Sequence, residues 1–541
     1  MITVSTTPFD DQKPGTSGLR KQVTTFQKPG YLENFVQSIF DTIPALSGGT
    51  IFIGGDGRFF NDNAIQVILS MAAANGVKKT FIAQNGLLST PAASNLIRKY
   101  GADGGFVLSA SHNPGGPDGD FGIKFNGANG GPIVEAITEK IFARSRKIES
   151  YKISENPDIP LGKIGNSKIG AMHIEIFNGV TDYADLMEEL FDFTAIREMF
   201  ASGFKICFDG MHAVTGPYAE EIFINRLGAS SNSVINTVPL PDFGGGHPDP
   251  GPAYAKELFA KMFRENGPDF GACSDGDGDR NIVLGQNTYV SPSDNLAIIA
   301  ANAHLAKGYK KGIAGIARSM PTSRAVDRVA QKLGIACFET PTGWKFFGNL
   351  LEAGRITICG EESAGAGSDH IREKDGIWAI LMWLNIIAIS GKSVSAILQN
   401  HWQEFGRNYY SRHDYEGVET SKAETLMRNL EQKFESLKDT EFLDQTILQA
   451  DSFTYIDPID GSVSKNQGLR IDFESGSRIV FRLSGTGTVG ATLRLYLERY
   501  VPPTGDLNQD TQAALHVLKC FAEHIAEIST TLDRTKPTVI S

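Results

Sequence analysis

Three aspartates alternate with glycines in the segment SDGDGDR, residues 274–280. Alternate side chains of an extended loop point to the same side, so the carboxylates of Asp275, Asp277 and Asp279 are expected to converge. Converging carboxylates repel one another unless a divalent cation lies between them, and hard oxygen ligands suit Mg²⁺ or Ca²⁺. An EF-hand would need glycine at the sixth and glutamate at the twelfth position, where this chain has arginine and glutamine. Because an apolar strand leads directly into the loop, we favour a divalent-cation site over an exposed turn.

A serine follows an apolar run in the segment LSASHNPGG, residues 108–116. Serine is a poor nucleophile unless it is activated, and no Gly-x-Ser-x-Gly elbow surrounds Ser111. Adjacent side chains point apart in extended backbone, so His112 is not expected to be the base for Ser111. The loop by itself fits a turn as well as a reactive serine. Lys124 downstream and the aspartate loop favour a serine that carries phosphate near a metal ion.

Four further segments combine hydroxyl, acidic and basic groups that could hold a phosphorylated sugar. RLSGTGTVGATLRLY, residues 482–496, places hydroxyls and backbone amides between arginines, which suits an oxyanion, and it lacks the Gly-Lys of a Walker loop. GEESAG, residues 360–365, brings two acids that can accept hydrogen bonds from sugar hydroxyls. GTSGLRK at 15–21 and HIREKDG at 370–376 add hydroxyls and cations. Each of the four could also be an ordinary turn or helix start.

The elements that must position these loops follow one plan three times. An apolar strand, a polar loop and an amphipathic helix follow one another in TIFIGGDGRFFND, in FKICFDGMHAVTG and in GIAGIARSMPTSR, with helices predicted over 64–74 and 323–333. Each segment is followed by a second apolar strand. The three strands end in LSASHNPGG, which we call the serine loop, in SDGDGDR, which we call the aspartate loop, and in GEESAG. Ligands of open α/β sheets bind beyond the carboxyl ends of strands, so we expect the chemistry at these three loops.

Helix signals refine this pattern. Ser293 or Asp294 is expected to cap the helix NLAIIAANAHLA, and Gly308 to end it. Asp375 precedes a helix that contains the most apolar window, residues 377–389. A bilayer span needs about 20 residues, so this shorter window predicts a buried helix.

The last part of the chain departs from the repeated plan. A long amphipathic helix is predicted over 422–437, strands within 468–483, and a final helix over 511–528. This alternation indicates a separate α+β domain after three similar α/β domains. We therefore predict four domains, with boundaries at 1–190, 191–300, 301–404 and 405–541.

Composition limits the class of partner. The 541 residues carry a net charge of −11, which argues against nucleic acid as the main partner because phosphate backbones select basic surfaces. The N-terminal segment lacks the basic and apolar regions of a signal peptide. Five cysteines without a CxxC pair are typical of buried, reduced thiols. We expect a cytoplasmic, monomeric protein that binds neither nucleic acid nor membrane.

Together and in this order, these segments resemble the α-D-phosphohexomutase superfamily over nearly the whole chain. No motif position departs from the family pattern in a way that would indicate lost activity. The resemblance implies a heart-shaped enzyme with three α/β domains that contain mixed sheets and a fourth domain that binds phosphate. The matching motifs are GTSGLRK at 15–21, SASHNPGGPDGDFGIKFN at 109–126, DGDGDR at 275–280, TPTGWKF at 340–346, GEESAG at 360–365, REKDGIWA at 372–379 and RLSGTGT at 482–488.

The resemblance also implies a role for each matching residue. Ser111 would be the phosphoserine and would complete a Mg²⁺ site formed by Asp275, Asp277 and Asp279. Lys124 or Lys374 would be the general acid or base. The group around the transferring phosphate would be Arg20, His112, Lys124, Arg280 and Lys374. The substrate would be bound by Thr16, Arg20, Arg280, Thr342, Gly343, Glu361, Ser363, Lys374, Arg482, Ser484, Gly485, Thr486 and Arg494.

The implied reaction is the reversible conversion of α-D-glucose 1-phosphate into D-glucose 6-phosphate through glucose 1,6-bisphosphate. Glucose-specific members resemble GEESAG in the sugar loop, whereas mannose and glucosamine relatives usually end it in Gly-His, so Ala364-Gly365 favours glucose. Two alternatives stay open. One is a metal-dependent phosphatase with an aspartate of the DGDGD loop as nucleophile. The other is a mutase-like structural or trafficking protein, for which a damaged motif would be expected.

Overall fold

The computed structural model describes residues 1–155, 158–438, 440–442, 445–484 and 490–541. The chain forms two compact units, and each is described here by itself. The larger unit comprises Met1–Pro292, Ala301–Ala314 and Gly343–Ser395. The smaller unit comprises Ser293–Ala300, Gly315–Thr342 and Ala396–Ser541.

The strands and helices alternate along most of the chain. The strands are β1 (Ile2–Ser5), β2 (Leu19–Gln22), β3 (Thr50–Gly55), β4 (Lys79–Leu87), β5 (Gly104–Leu108), β6 (Asp120–Gly127), β7 (Ser150–Ile153), β8 (Gly165–Ile169), β9 (Met172–Phe177), β10 (Ile206–Asp209), β11 (Val234–Ile235), β12 (Phe270–Ser274), β13 (Asn281–Gly285), β14 (Thr288–Val290), β15 (Gly315–Ser319), β16 (Ala336–Thr340), β17 (Ile358–Glu361), β18 (Gly365–Ser368), β19 (Arg407–Val418), β20 (Glu441–Phe442), β21 (Gln445–Ser452), β22 (Tyr455–Ile456), β23 (Val463–Ser464), β24 (Leu469–Phe473), β25 (Arg478–Ser484), β26 (Ala491–Val501) and β27 (Val539–Ile540). The α-helices are α1 (Val23–Phe26), α2 (Tyr31–Thr42), α3 (Asn61–Ala74), α4 (Thr90–Tyr100), α5 (Glu135–Ser145), α6 (Thr181–Leu190), α7 (Phe193–Ala201), α8 (Thr215–Ala219), α9 (Lys256–Met262), α10 (Pro292–Asn302), α11 (Ala325–Leu333), α12 (Lys345–Glu352), α13 (Gly376–Ser390), α14 (Val394–Phe405), α15 (Thr420–Gln432), α16 (Phe434–Leu437), α17 (Thr511–Ile525) and α18 (Ile528–Leu532).

The larger unit begins with a seven-stranded mixed sheet in the order β2-β6-β5-β3-β4-β9-β8. Strands β3, β4, β5 and β9 run parallel, whereas β6 runs antiparallel to β5. All five residues of β5 are buried, as expected for a central strand covered on both faces. The apolar faces of α2 and α3 supply much of the core on this sheet. The serine loop therefore begins at the end of a fully buried strand.

Strand, polar loop and antiparallel return strand recur three times in the larger unit. The serine loop lies between β5 and β6, the aspartate loop between β12 and β13, and the GEESAG turn between β17 and β18. Strand β12 belongs to a second mixed sheet of order β11-β10-β12-β13-β14. All residues of β12 and β17 are buried. Each chemical loop thus begins at the carboxyl end of a buried strand.

The smaller unit contains a seven-stranded sheet in the order β20-β21-β24-β25-β26-β19-β27. Its paired strands run antiparallel, and α15 and α17 cover one apolar face to form a separate core. The same unit holds the parallel pair β15 and β16 with helix α11. The C-terminal region is therefore α+β, as its pattern predicts.

The structure corrects the predicted bounds of two helices. Helix α10 begins at Pro292, a favoured first helical residue, so Ser293 and Asp294 lie inside the first turn and do not cap it. The helix ends at Asn302, and two 3₁₀ turns follow, of which the second, Lys307–Tyr309, contains the predicted end at Gly308. The long helix predicted over 422–437 is divided into α15 and α16.

Burial tests two further expectations. The apolar window 377–389 lies in α13, which is buried over most of its length, as predicted. Within the described residues no single helix has the length and apolarity for a bilayer span, and one bent helix pair reaches both only when combined. All five cysteines are free, but Cys520 is exposed and Cys337 half-buried, so the prediction of uniformly buried thiols is wrong at these positions.

Candidate active site

The carboxylates of Asp275, Asp277 and Asp279 converge, as the alternation of aspartate and glycine predicts. One oxygen from each lies within 4.8 Å of the others, and all three residues are almost completely buried. The loop turns around one carboxylate, because Asp275 Oδ1 accepts hydrogen bonds from the backbone N–H of Asp279 at 3.0 Å and of Arg280 at 3.1 Å. The glycines between the aspartates allow this tight turn.

The three carboxylates have unequal electrostatic surroundings. Burial, together with the charges of Asp279 and Asp277, raises the pKa of Asp275 well above its ordinary value. Burial also disfavours the ionised form of Asp277, but the Lys124 ammonium at 2.5 Å and the Thr90 hydroxyl at 2.5 Å outweigh it and lower the pKa. The site therefore combines an anionic carboxylate with one that needs a positive charge to ionise.

These residues fit a hard divalent cation. The Oδ1 atoms of Asp277 and Asp279 are buried and have no hydrogen-bond partner among the described residues. Buried polar atoms are normally satisfied, so two such oxygens in one group of converging carboxylates indicate a ligand. Carboxylate oxygens are preferred ligands of Mg²⁺.

Ser111 lies directly against the aspartate loop. Its Oγ donates a hydrogen bond to Asp275 Oδ2 at 2.8 Å, and the residue is 1% exposed. A Cβ atom at Gly276 would lie only 2.4 Å from the carbonyl oxygen of Ser111, so the two loops are in backbone contact. The serine loop and the aspartate loop thus form one site.

His112 does not lie where extended backbone would put it. Ser111 has a φ of 53°, in the left-handed region, and this brings its Oγ to 3.4 Å from His112 Nδ1. The expectation that the two side chains point apart is therefore wrong. Desolvation and the charges of Arg280 and Arg20 lower the pKa of His112 well below its usual value. A neutral imidazole consequently lies beside the serine hydroxyl.

A buried arginine, which the motif analysis missed, holds the serine loop. Arg58 makes an ion pair with Asp56, in which Nε lies 3.0 Å from Oδ1 and 2.9 Å from Oδ2, and Nη2 lies 2.9 Å from Oδ2. Its Nη2 donates to the Ser111 carbonyl at 2.7 Å and its Nη1 to the Asp120 carbonyl at 2.9 Å. Ser109 Oγ donates to Asp56 at 2.6 Å and accepts from the Ser111 N–H at 2.7 Å. The segment GGDGR at the end of β3 was its only signal in the sequence.

Three cations surround the aspartate loop. Lys124 Nζ contacts Asp277 at 2.5 Å and Asp279 at 3.6 Å, and Lys374 Nζ lies 3.4 Å from Asp279. Arg280 Nε lies 3.9 Å from Asp275 Oδ2. Burial favours neutral Lys124, but Asp277 and Asp279 outweigh it and raise its pKa. Positive charge is therefore concentrated where a phosphoryl group on Ser111 would lie.

The first acid of the GEESAG turn contacts Gly343 of the segment TPTGWKF. Glu361 Oε1 accepts a hydrogen bond from the Gly343 N–H at 2.8 Å, and burial raises the pKa of this carboxyl. Ser363 is half-buried in the same turn. A Cβ at Gly365 would lie 2.4 Å from Cδ of Lys374, so the lysine stem passes along this turn. Thr16 also packs against Gly343.

Arg20 lies in the same charged region. Burial lowers its pKa, Asp277 and Asp279 oppose that effect, and Arg280 adds to it. Thr342 belongs to the smaller unit, where its Oγ1 is buried without a hydrogen-bond partner among the described residues.

The predicted phosphate loop falls partly outside the described residues, which exclude Gly485 and Thr486. On either side of it, Arg482 of β25 pairs directly with Arg494 of β26. Like charges directly opposite each other destabilise a sheet, so this arrangement favours an anion near them. Ser484, the last residue of β25, lies two positions along the same strand from Arg482.

Comparisons with known proteins agree with this geometry. A phosphoglucomutase of Rhizobium radiobacter is 60% identical over 539 residues, covering 100% of this chain and 99% of the relative. A cytoplasmic phosphoglucomutase of Bromus inermis is 50% identical, covering 99% and 98%. The open-form crystal structure of pp63/parafusin, a phosphoglucomutase from Paramecium, matches with a TM-score of 0.93 at 47% identity, covering 100% and 99%.

Family models also match along the chain. Those of phosphoglucomutase/phosphomannomutase alpha/beta/alpha domains I, II and III match residues 11–152, 181–288 and 292–405, and that of the phosphoglucomutase-1 C-terminal domain matches 407–538. The predicted architecture of three α/β domains and a different fourth domain is confirmed. The chain belongs to the phosphoglucomutase/phosphomannomutase family.

Proposed function

We propose that this chain interconverts α-D-glucose 1-phosphate and D-glucose 6-phosphate, with Ser111 as the carrier of the phosphoryl group. The observation that carries the proposal is the 2.8 Å hydrogen bond from Ser111 Oγ to Asp275, inside a buried group of three carboxylates and three cations. Relatives named phosphoglucomutase that align over the full chain support glucose phosphates as substrates.

Asp275, Asp277 and Asp279 would hold Mg²⁺, with an oxygen of phosphorylated Ser111 as a further ligand. When bound, the ion would supply a Lewis acid that neutralises charge on the phosphoryl oxygens. The partnerless Oδ1 atoms of two of these aspartates support the assignment.

In the proposed cycle, the free hydroxyl O6 of glucose 1-phosphate attacks the phosphorus of phosphoserine 111. The new P–O6 bond forms as the P–Oγ bond breaks, the hydroxyl gives up its proton, and Oγ leaves as an alkoxide that takes up a proton. Glucose 1,6-bisphosphate then turns over within the site. Its 1-phosphate returns to Ser111 by the reverse chemistry, which leaves glucose 6-phosphate and restores the phosphoserine. Net hydrolysis does not occur, because water is not a reactant.

The basic residues have different tasks in this proposal. Lys124 is held by two carboxylates, which keep it charged, so it serves as a fixed counter-charge with Arg20 and Arg280. Lys374 contacts a single carboxylate and is the better group to move the hydroxyl proton. His112 adds a neutral imidazole whose Nδ1 lies 3.4 Å from the serine Oγ.

Substrate recognition is proposed for the remaining motif residues. Glu361 and Ser363 would bind sugar hydroxyls, and Gly343 with Thr342 and Thr16 would line the sugar. Arg482 and Arg494 of the smaller unit would bind a phosphate group of the substrate, and their direct pairing across β25 and β26 supports anion binding there. Ser484, Gly485 and Thr486 would contribute hydroxyl and amide donors.

The decisive test replaces Ser111 with alanine. Ser111→Ala should abolish formation of glucose 6-phosphate from glucose 1-phosphate with Mg²⁺ and catalytic glucose 1,6-bisphosphate, and remove the serine-linked phosphate from the intact mass. Ser202→Ala, at an exposed helix end, is the matched control and should keep both. Normal turnover by Ser111→Ala would refute the proposal, and release of inorganic phosphate without isomer would favour the phosphatase alternative. Mannose 1-phosphate and N-acetylglucosamine 1-phosphate in the same assay measure the sugar preference.

Cytoplasmic location and a monomeric state belong to the proposal as well. A plant relative is named cytoplasmic, although others are named chloroplastic. Size-exclusion chromatography with light scattering measures the assembly.

A further inference from the structure

A closed circuit of buried hydrogen bonds lies behind the segment HIREKDG. We call it the His370 ring, and its five members are Ser368, His370, Asp375, Trp378 and Tyr309. His370 Nδ1 lies 2.7 Å from Ser368 Oγ, and its Nε2 lies 3.0 Å from Asp375 Oδ2. Tyr309 Oη lies 2.5 Å from Ser368 Oγ and accepts from Trp378 Nε1 at 2.7 Å. All five side chains are buried.

The donors and acceptors of the ring assign the proton positions. Trp378 Nε1 is always a donor, so the Tyr309 hydroxyl passes its own proton to Ser368 Oγ, and Ser368 donates to His370 Nδ1. The remaining imidazole proton, on Nε2, then points at the Asp375 carboxylate. The carboxylate of Asp375 only accepts, and Trp378 closes the ring by donating twice, from its indole N–H to Tyr309 and from its backbone N–H to Asp375. His370 is therefore the one member that joins the hydroxyl chain to the carboxylate.

The carboxylate end of the ring is also tied to the backbone. Asp375 Oδ1 accepts from the Trp378 N–H at 3.0 Å and caps α13, and it accepts from the Tyr183 hydroxyl at 2.5 Å. The Asp375 N–H donates to the Ala366 carbonyl at 2.8 Å. One residue later, the Gly376 N–H donates to the carbonyl of Gly278 in the aspartate loop at 3.0 Å.

The ring closes around the segment that carries Lys374. Ser368 lies immediately before residues 369–374 and Asp375 immediately after them, so the ring fixes both ends of a six-residue segment. Lys374, the last residue of this segment, reaches Asp279 at 3.4 Å. Any shift of Asp375 is therefore passed directly to the backbone of Lys374.

The order Ser368–His370–Asp375 has the composition of a hydrolase triad, but a nucleophile must be reachable by substrate. Ser368 has no exposed surface, and the side chains of His370 and Asp375 are at most 1% exposed. The arrangement can fix a segment in place, but it cannot attack a substrate.

We propose that the His370 ring positions Lys374 against the aspartate loop, and that His370 is a positioning residue for phosphoryl transfer. This inference rests on the proposed role of Lys374. The ring holds the segment at both ends through directional bonds with no exposed member, so the lysine keeps one placement relative to the carboxylates through the catalytic cycle.

His370→Phe tests the proposal, because phenylalanine can keep the stacking on Trp378, now at 5.4 Å between ring centroids, and loses both ring hydrogen bonds. We expect kcat to fall at least about tenfold while KM changes less than about threefold, as expected when a reacting group is misplaced by a fraction of an ångström. The rate of Lys374 acylation by acetic anhydride, read by peptide mass spectrometry against exposed Lys163, should change at least about threefold. His370→Gln, which can still donate and accept, should recover part of both losses.

Tyr183→Phe is the matched control. It removes a hydrogen bond from the same carboxylate but leaves the ring closed. It should keep kcat and Lys374 acylation within about threefold of wild type, even if the melting temperature falls as far as in His370→Phe. Equal loss of kcat in the two variants would mean that lost stability, and not the ring, sets the activity.

Ser368→Ala and Tyr309→Phe open the ring at other bonds and replace His370→Phe if that variant does not fold. Folded ring variants with wild-type kcat and wild-type Lys374 acylation would overturn the inference. Lys374→Ala separates it from the proposed function. Full turnover by Lys374→Ala would refute the catalytic role of the lysine, whereas the acylation rates of the ring variants would still measure its placement.

Discussion

Removing the Arg58 side chain should lower the activity that depends on the serine loop, although Arg58 is not among the residues proposed to bind the substrate. Arg58 has no exposed side-chain surface, pairs with Asp56 and donates to the carbonyls of Ser111 and Asp120. Arg58→Ala leaves Asp56 buried with hydrogen bonds only from Ser109 and a backbone N–H. Breaking a buried ion pair from one side costs about 3–5 kcal/mol. Here we expect much of that cost to appear as easier local opening of the serine loop.

The catalytic loss can be estimated separately. Ser111 keeps its left-handed backbone, with a φ of 53°, while Arg58 holds its carbonyl and Ser109 holds its N–H. Without Arg58 the loop gains alternatives, and a displacement of the nucleophile by about 1 Å lowers a rate about 100-fold. That factor corresponds to about 2.7 kcal/mol of transition-state free energy. KM should change little, because Arg58 has no exposed side-chain surface with which to contact a substrate.

The assay is a double-mutant cycle in which kcat is measured, combined with amide hydrogen exchange over residues 108–120. Arg58→Ala and Asp56→Asn should each lower kcat strongly, and the double variant should be little worse than the worse single variant, since both break one unit. Arg58→Lys keeps the charge but not the planar fork, so it should recover only part of kcat. Protection of residues 108–120 should fall, while that of α17 in the smaller unit stays unchanged. Additive losses, or a kcat within threefold of wild type in Arg58→Ala, would refute the reasoning.

Two further predictions concern metal and pH. Mg²⁺ should raise the melting temperature of the wild-type protein but not that of Asp277→Asn, because Asp277 Oδ1 is one of the two carboxylate oxygens without a hydrogen-bond partner among the described residues. An equal rise in both proteins would exclude Asp277 as a ligand. In the smaller unit, burial disfavours ionised Glu339, but Arg318, Arg478 and Arg470 outweigh it and lower its pKa from 4.5 to about 2. Its stabilisation, about 3 kcal/mol, is present above pH 4.5 and is lost as the pH falls towards 2. The melting temperature of Glu339→Gln should therefore lie below wild type at pH 7 and approach it near pH 2, and a gap constant with pH would contradict the linkage.

The serine loop, the aspartate loop and GEESAG could be located from the sequence because each follows a short run of apolar residues, which is typical of a buried strand. Strands β5, β12 and β17 are buried throughout, and their loops carry Ser111, the aspartates and Glu361. The convergence of the aspartates also followed from their alternation with glycine. These features are local, so spacing along the chain is enough to predict them.

The Arg58 clamp was not predictable in the same way. Its guanidinium binds carbonyls of residues 53 and 62 positions further along, and a carbonyl acceptor has no signature in the sequence. The prediction that the His112 side chain points away from Ser111 was wrong for a related reason. Extended backbone was assumed at Ser111, but tertiary hydrogen bonds hold it in the left-handed region, which costs a non-glycine residue about 1 kcal/mol or more.

Backbone contacts between the loops explain why the site is assembled so closely. A Cβ at Gly276 would lie 2.4 Å from the Ser111 carbonyl, and one at Gly376 would lie 2.3 Å from the Arg280 carbonyl. Gly276 in its turn and Gly376 at the start of α13 are therefore positions at which one segment contacts the next. Because the Gly376 N–H also binds the Gly278 carbonyl, the segment that carries Lys374 rests on the aspartate loop through main-chain atoms. Arg58, through the Ser111 carbonyl, and His370, through the Asp375 carboxylate, would therefore control where the Ser111 hydroxyl and the Lys374 ammonium lie.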